Sequence, residues 1–366
     1  MNEPSAPISG SSDVLGRRQR ERFTLEEIEA VCSHYDLGKI QRIRELPRGS
    51  FQSPKAAIFT DKGEYLLKRR APGRDRPERL AFVHDLQKHL AKQGFPMPAL
   101  VSTARSGKTL VRHKGGIYEL FEFVRGKSYK GGLDETYEAG RAMAMFHQAA
   151  ASFRPTLSPP TGSYHAISGI SVSLHQIPAA IQRRIGDTDR SRVVNLREVT
   201  RLLREEYNEA RRIVDAAGFA QWPRQAVHCD WHPGNMRFRG GKVVTVLDFD
   251  SARWEPRMID VANGALQFSI TMHSGDVLNW PDYLDETRLK RFYRGYCSLE
   301  NSQPSTKEVQ ALPGLMVEAL IVEAVVPVAT TGSFAHMEGG DFLTMVQRKV
   351  AWILRQSGRL TQLVSS

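Results

Sequence analysis

The chain has 366 residues, enough for about two domains, with 51 Lys plus Arg against 40 Asp plus Glu and a formal net charge of +11. Hydrophobic residues at 41% and charged residues at 25% match globular usage and exclude a disordered, collagen-like or coiled-coil chain. The three cysteines, Cys32, Cys229 and Cys297, are too dispersed for a disulfide framework or a cysteine-based zinc site, which suits a reducing, cytoplasmic setting.

The first residues are rich in Ser, Pro and Gly and poor in large apolar side chains, so residues 1–22 are expected to form a disordered tail. No apolar core follows a basic start, so no signal peptide is expected. Leu25, Ile28 and Val31 then recur at helical spacing behind Thr24, with Glu27 completing a capping box. Runs at Ile40–Leu46, Ala56–Thr60 and Glu64–Lys68, joined by turns at Arg48–Phe51 and Asp61–Gly63, read as an antiparallel meander. Leu80, Val83, Leu86 and Leu90 predict a helix over Pro77–Lys92, stopped by Gly94 and followed by Pro96 and Pro98. Strands are expected at Ala99–Ser102 and Gly116–Val124. Together these elements predict a strand-rich lobe over residues 23–124.

From residue 125 to 366 the pattern is mostly helical, with helices expected at Leu133–Ala150, Leu196–Ala217, Tyr283–Cys297, Ala311–Val326 and Asp341–Arg355. The most apolar stretch, Ala311–Ala329, is broken by Pro313, Glu318, Glu323 and Pro327, so no membrane span is expected. Arg154–Gly186 starts as loop and is weakly helical later. The exception to helix is Val227–Ser251, where apolar runs at Met236–Phe238 and Val243–Phe249 flank Gly240-Gly241 as in a hairpin.

That hairpin carries the chemistry. Asp230, Asn235 and Asp248 sit in the strings His228-Cys229-Asp230-Trp231-His232-Pro233-Gly234-Asn235 and Leu247-Asp248-Phe249-Asp250, so strand pairing can bring all three together. Oxygen donors of this kind suit magnesium, which takes one or two carboxylates plus substrate phosphates. A base beside an acceptor hydroxyl and metal ligands beside phosphates are what phosphoryl transfer requires. Upstream, Gly49 and Ser50 lie in a turn between strands, and Lys68 ends the strand Tyr65–Lys68, the order in which kinases place a phosphate-covering hairpin and a phosphate-holding lysine.

The segment Val227–Asp260 resembles the aminoglycoside phosphotransferase and choline kinase-like superfamily, whose signature is H-G-D-x-x-x-x-N followed by an apolar strand and an I-D-F-D-like turn. The resemblance spans about Ile40–Arg355 and is nearest to spore-coat-type and homoserine kinase-like members. It implies an α+β, protein-kinase-like bilobal fold with a small antiparallel-sheet N-lobe, a larger helical C-lobe and the site between them. It implies an ATP-dependent phosphotransferase acting with Mg2+ on a hydroxyl of a small metabolite. Asp230 would orient or deprotonate that hydroxyl, Asn235 and Asp248 would hold magnesium, and Lys68 would contact the nucleotide phosphates beneath the Gly49-Ser50 turn. In the strand Glu119–Gly126, Phe121 would be the gatekeeper, and the Glu122 carbonyl and Val124 amide would pair with adenine. His228 would brace the catalytic loop, and Asp260 would tie it to the helix that Asp260 begins.

Three departures from the pattern matter. Cys229 replaces a glycine, so the loop either avoids the left-handed conformation there or strains to reach it. The phosphate-side turn has one glycine. The position expected for a glutamate paired with Lys68 falls on Val83, with Glu78 the nearest acid. His232 reads as a loop-stabilising or substrate-side residue, since no third nitrogen or sulfur ligand for zinc lies nearby. Asp250 either tunes the site or accepts backbone bonds in its turn. The basic run Arg69, Arg70, Arg74 and Arg76 reads as solvated surface, and no specific nucleic acid is expected as a partner. A polycationic acceptor fits a basic protein poorly unless the cleft is locally acidic. The competing reading is a catalytically inactive kinase-like scaffold or regulatory protein, against which the intact polar set argues.

Overall fold

The structure, a computed structural model, describes residues 21–46, 52–185, 190–271 and 275–365. Most of the expected N-terminal tail and both Gly49 and Ser50 lie outside the described residues. The fold is α+β, and the chain divides into two compact units.

The first unit, residues up to 76 and 99–123, is a five-stranded antiparallel sheet with one helix. Helix α1 (Leu25–Cys32) carries the capping box read from the sequence: the Thr24 hydroxyl accepts from the Glu27 amide at 3.1 Å, and the Glu27 carboxylate accepts from the Thr24 amide at 3.3 Å. Strands β1 (Ile40–Glu45), β2 (Lys55–Thr60), β3 (Glu64–Arg69), β4 (Val111–His113) and β5 (Gly116–Glu122) pair in the order β1-β2-β3-β5-β4. Ile28, Val31, Ile58, Leu67, Val111 and Leu120 form the core under this sheet. The strand expected at Ala99–Ser102 is reduced to one bridge, Leu100 with Phe121. Its place at the sheet edge goes to β4, which hairpins back from β5 through Lys114 and Gly115, both with positive φ.

The register of β3 with β5 sets Lys68 directly across from Glu119, so the two side chains share a face. Glu119 is fully buried and receives the Arg70 guanidinium in two bonds of 2.9 and 2.7 Å. A bidentate pair with both partners out of water needs this geometry to offset desolvation. Arg70 is therefore interior, not part of a solvated basic run, and Glu78 is exposed on its helix.

The second unit, residues 77–98 and 124–366, is mostly helical. Helix α2 (Pro77–Lys92), read from the sequence as part of the sheet lobe, packs here: Phe82, Val83, Leu86 and Leu90 join the core that α3 (Leu133–Ala151) builds with Met143 and Phe146. Helices α4 (Ile170–Ile185) and α5 (Arg190–Ala216) precede four short strands. Strand β6 (Arg224–Val227) pairs with β9 (Arg253–Pro256), and β7 (Met236–Arg239) hairpins with β8 (Lys242–Val246). Gly240 and Gly241 both have positive φ, as the two-residue turn of this hairpin requires. Helices α6 (Met258–Ser269), α7 (Glu286–Tyr296), α8 (Thr306–Thr331), α9 (Gly339–Arg355) and α10 (Ser357–Ser365) complete the unit.

Helix α8 extends beyond the expected Ala311–Val326 at both ends and contains Pro327 as well as Pro313, because it is the core helix of the unit. By length and composition it qualifies as a span, yet 83% of its most apolar window is buried, and α4, α5, α6 and α9 surround it. Packing at this density offsets the hydrogen bonds lost at Pro313 and Pro327.

Helices α3 and α7 approach so closely that backbone meets backbone. A Cβ on Gly140 would lie 2.0 Å from the Phe292 carbonyl oxygen, and one on Gly295 would lie 2.0 Å from the Tyr137 carbonyl oxygen. No side-chain adjustment relieves a clash with backbone. Gly140→Ala should therefore cost at least about 2 kcal/mol, read as a lowered midpoint in thermal or urea unfolding.

Candidate active site

The strained turn after β6 presents the site. Its central brace is Asp260 on α6, fully buried, whose two carboxylate oxygens accept the backbone amides of His228 and Cys229, each at 2.7 Å. His147 of α3 adds a third bond, its Nε2 lying 3.1 Å from Asp260, and its Nδ1 lies 3.0 Å from the Tyr296 hydroxyl of α7. Burial lowers the pKa of His147, outweighing the pull of Asp260, so the ring is neutral. A neutral ring that donates through Nε2 must accept through Nδ1, which fixes the tautomer and makes Tyr296 the donor. The relay thus runs from the Tyr296 hydroxyl through His147 to Asp260 and the loop backbone.

Cys229 has φ of +58°, so the loop does take the left-handed conformation where glycine was expected. A side chain there costs about 1–2 kcal/mol, and the two amide bonds to Asp260 hold it. The thiol is buried and its pKa is pushed well above the ordinary value, so it stays protonated and packs instead of reacting.

The brace aims Asp230, which is 38% exposed. Its Oδ2 accepts from the Asn235 side-chain amide at 2.8 Å, while its Oδ1 lies 3.6 Å from His232 Nε2. The Asn235 amide also donates to the Asp230 carbonyl at 3.0 Å, closing a small ring that fixes both side chains. His232 caps its own turn, its Nδ1 accepting the Gly234 amide at 3.0 Å, which is the loop-stabilising role.

The hairpin brings the third member in. Met236 pairs with Val246, and the Leu247 amide donates to the Asn235 carbonyl at 2.8 Å, so Asn235 and Asp248 flank the open end of β7 and β8. His228, fully buried, donates through Nε2 to the Leu247 carbonyl at 3.1 Å and packs on Phe249 with ring centroids 4.9 Å apart. It thereby ties the loop that carries Asp230 to the turn that carries Asp248. That turn is also strained, with Asp248 at φ of +62°. Its next residue but one, Asp250, offers its carbonyl to Arg79 of α2 in bonds of 3.1 and 2.7 Å.

The donor types fit a magnesium ion that arrives with phosphates. Asn235 and Asp248 would hold it with two side-chain oxygens, and among the described residues no cluster of three or more His, Cys, Asp or Glu could hold a metal unaided. A hard cation that keeps water and phosphate ligands needs no more from the protein.

The remaining sequence-predicted residues are spread over both units. Lys68, expected to end its strand, is followed in β3 by Arg69 and is buried, Phe121 is buried in β5, and Glu122 is exposed at the end of that strand with its amide donating to the Ala99 carbonyl at 2.9 Å. Val124 opens the second segment of the helical unit. Gly49 and Ser50 lie outside the described residues.

Sequence reasoning passed over a second polar group beside Asp230. The Tyr164 hydroxyl lies 3.0 Å from the Cys229 carbonyl and 2.8 Å from Glu323 Oε1 of α8. Asn263 of α6 donates to both the Tyr164 oxygen and Glu323 Oε1, each at 3.1 Å, and Gln267 donates to Glu323 Oε2 at 2.5 Å. The signal was present: Asp260, Asn263 and Gln267 lie at i, i+3 and i+7, one polar face on an otherwise apolar helix. Burial pushes the Glu323 pKa up to about 7, and the charge of Asp230 adds to the shift.

A carboxyl raised on folding binds more protons in the folded chain. The stability from Glu323 is thus complete below its ordinary 4.5 and is lost as pH rises through about 7. Glu323→Gln should therefore stabilise the protein by on the order of 2 kcal/mol at pH 8 and leave it unchanged near pH 4.5, measured by urea unfolding at both pH values.

Comparison with known proteins bears on the family and the fold. Residues 43–308 match the phosphotransferase enzyme family. The homoserine kinase of Polaromonas naphthalenivorans (strain CJ2) is 25% identical over 293 residues, covering 79% of this chain and 82% of that protein. Among solved structures, an aminoglycoside phosphotransferase from Alicyclobacillus acidocaldarius superposes with a TM-score of 0.64 at 18% identity, over 96% of this chain and 98% of that one. A microcompartment-associated aminopropanol kinase does so with a TM-score of 0.66 at 16% identity, over 90% and 96%.

Proposed function

This chain belongs to the phosphotransferase enzyme family, and we propose that it transfers the γ-phosphoryl group of ATP, with magnesium, to the hydroxyl of a small amino-bearing metabolite of the homoserine type. The observation that carries the reading is the geometry of Asp230. One of its oxygens is fixed by Asn235 and the other lies beside His232 on a partly exposed side chain, on a loop braced by Asp260.

In this reading Asp230 Oδ1 receives the acceptor hydroxyl proton as the oxygen attacks the γ-phosphorus in line. The Asn235 amide holds Asp230 Oδ2, so the carboxylate meets the hydroxyl without having to reorient. Asn235 and Asp248 are the magnesium ligands, and the bound ion offsets charge on the phosphate oxygens. The nucleotide side is assigned to Lys68, with Phe121, Glu122 and Val124 on the adenine and the Gly49-Ser50 turn on the phosphates, all on the strength of the sequence resemblance. The amino-bearing acceptor draws on the relatives' acceptors and on the acid beside Asp230: a positive group can enter a basic protein where the site itself is acidic.

Asp230→Asn keeps the shape and the Asn235 contact but removes the base. It should lower kcat by about 10²–10⁴-fold while leaving the KM for ATP nearly unchanged, in a coupled ADP-release assay with homoserine and a panel of small amino alcohols. Near-normal turnover would contradict the assignment.

A further inference from the structure

The group around Glu323 is short of positive charge and of hydrogen-bond donors. Among the described residues no Lys, Arg or His is ion-paired with Glu323, and the nearby Asp230 adds a second negative charge. Tyr164 has one hydroxyl proton and two acceptors within reach of it, Glu323 Oε1 and the Cys229 carbonyl. The side-chain oxygen of Asn263, a residue only 1% exposed, is buried without any hydrogen-bond partner. Its amide nitrogen must face Glu323 and Tyr164, where acceptors sit, so this oxygen is left over in the same cluster. Buried acceptors in a native fold are normally satisfied, and an orphan calls for an occupant that brings donors.

We propose that Glu323, oriented by Asn263, Gln267 and Tyr164, is the anchor for the primary ammonium group of the phosphoryl acceptor. An ammonium supplies one positive charge and three donors, which is what the cluster lacks. Glu323 is a partly exposed residue whose carboxylate is joined through Tyr164 to the Cys229 carbonyl, one residue before Asp230. The inference rests on the kinase reading above and adds the recognition element to it.

Tyr164 gives the contact a consequence for catalysis. While Glu323 draws the hydroxyl proton, the carbonyl of the strained residue Cys229 goes without it. Once an ammonium satisfies Glu323, Tyr164 is released to donate to that carbonyl, one residue before the base. Tyr164 is thus a positioning residue that links acceptor binding to the setting of Asp230. The segment around it is built to hold it there: Tyr207 donates to the Tyr164 carbonyl at 2.6 Å, and the Gly162 amide donates to Glu255 at 2.6 Å.

The test compares homoserine with its desamino analogue 4-hydroxybutyrate, and aminopropanol with propanol, using wild type, Glu323→Gln and Tyr164→Phe. Wild type should prefer each amine. Glu323→Gln should raise the KM for the amine at least tenfold, abolish the preference and leave the KM for ATP unchanged, whereas Tyr164→Phe should act mainly on kcat. If Glu323→Gln lowers kcat with the amine KM and preference intact, the anchor is wrong. If it fails to fold, Asn263→Ala and Gln267→Ala should each weaken the preference, and no effect from either overturns the proposal. Transfer to alcohols with no preference for the amine would overturn the anchor but leave the kinase reading, whereas absence of any ATP turnover would overturn the kinase reading itself.

Discussion

The carboxylate of Asp260 is the constraint on which the site depends. It is a buried negative charge, which is tolerable only because three donors converge on it: two loop amides and the His147 ring. Those bonds force the chain at Cys229 into a left-handed conformation that it would otherwise avoid. The forced turn points Asp230 outward, and Asn235 and the β7–β8 hairpin then fall into register around it. The brace itself is held by the α3–α7 crossing, since His147 and Tyr296 come from those two helices and the glycines between them permit the approach. Packing in the helical unit is therefore translated, bond by bond, into the position of one carboxylate oxygen.

Charge takes a different meaning once it is localised. The net charge of +11 describes the whole surface. Within the site, Asp230, Asp248 and Glu323 are gathered on neighbouring elements, and burial holds the Glu323 pKa up to about 7. A basic exterior and an acidic interior site are compatible, because nearby groups act strongly at low dielectric while distant surface charges are screened.

The sequence disclosed the reactive string and the elements that carry it, because those rest on local signals. Spacing of Asp230, Asn235 and Asp248, a glycine-pair hairpin and a capping box at Thr24 are each written within a few residues. Contacts between distant elements were not legible in that way. Nothing near His147 marks it as the partner of a residue 113 positions on, and Tyr164 lies in a stretch with no periodicity. The helix expected at Ala311–Val326 runs on past Pro327 to Thr331 because local propensity yields to burial in a core helix, and α2 went to the helical unit because its apolar face fits α3. Lys68 illustrates a further limit: a glutamate was sought on the following helix, whereas strand register puts Glu119 across from it, and register depends on which strands pair.

If Asp260 sets the reactive geometry, the substitution that keeps its shape and removes its charge tests the account most directly. In Asp260→Asn the side-chain amide confronts donors that the carboxylate accepted. Steady-state kinetics with ATP and an accepted alcohol should show kcat reduced by about 10²-fold or more, with the KM for ATP little changed and the fold intact by circular dichroism. A folded Asp260→Asn protein with kcat close to wild type would contradict the account.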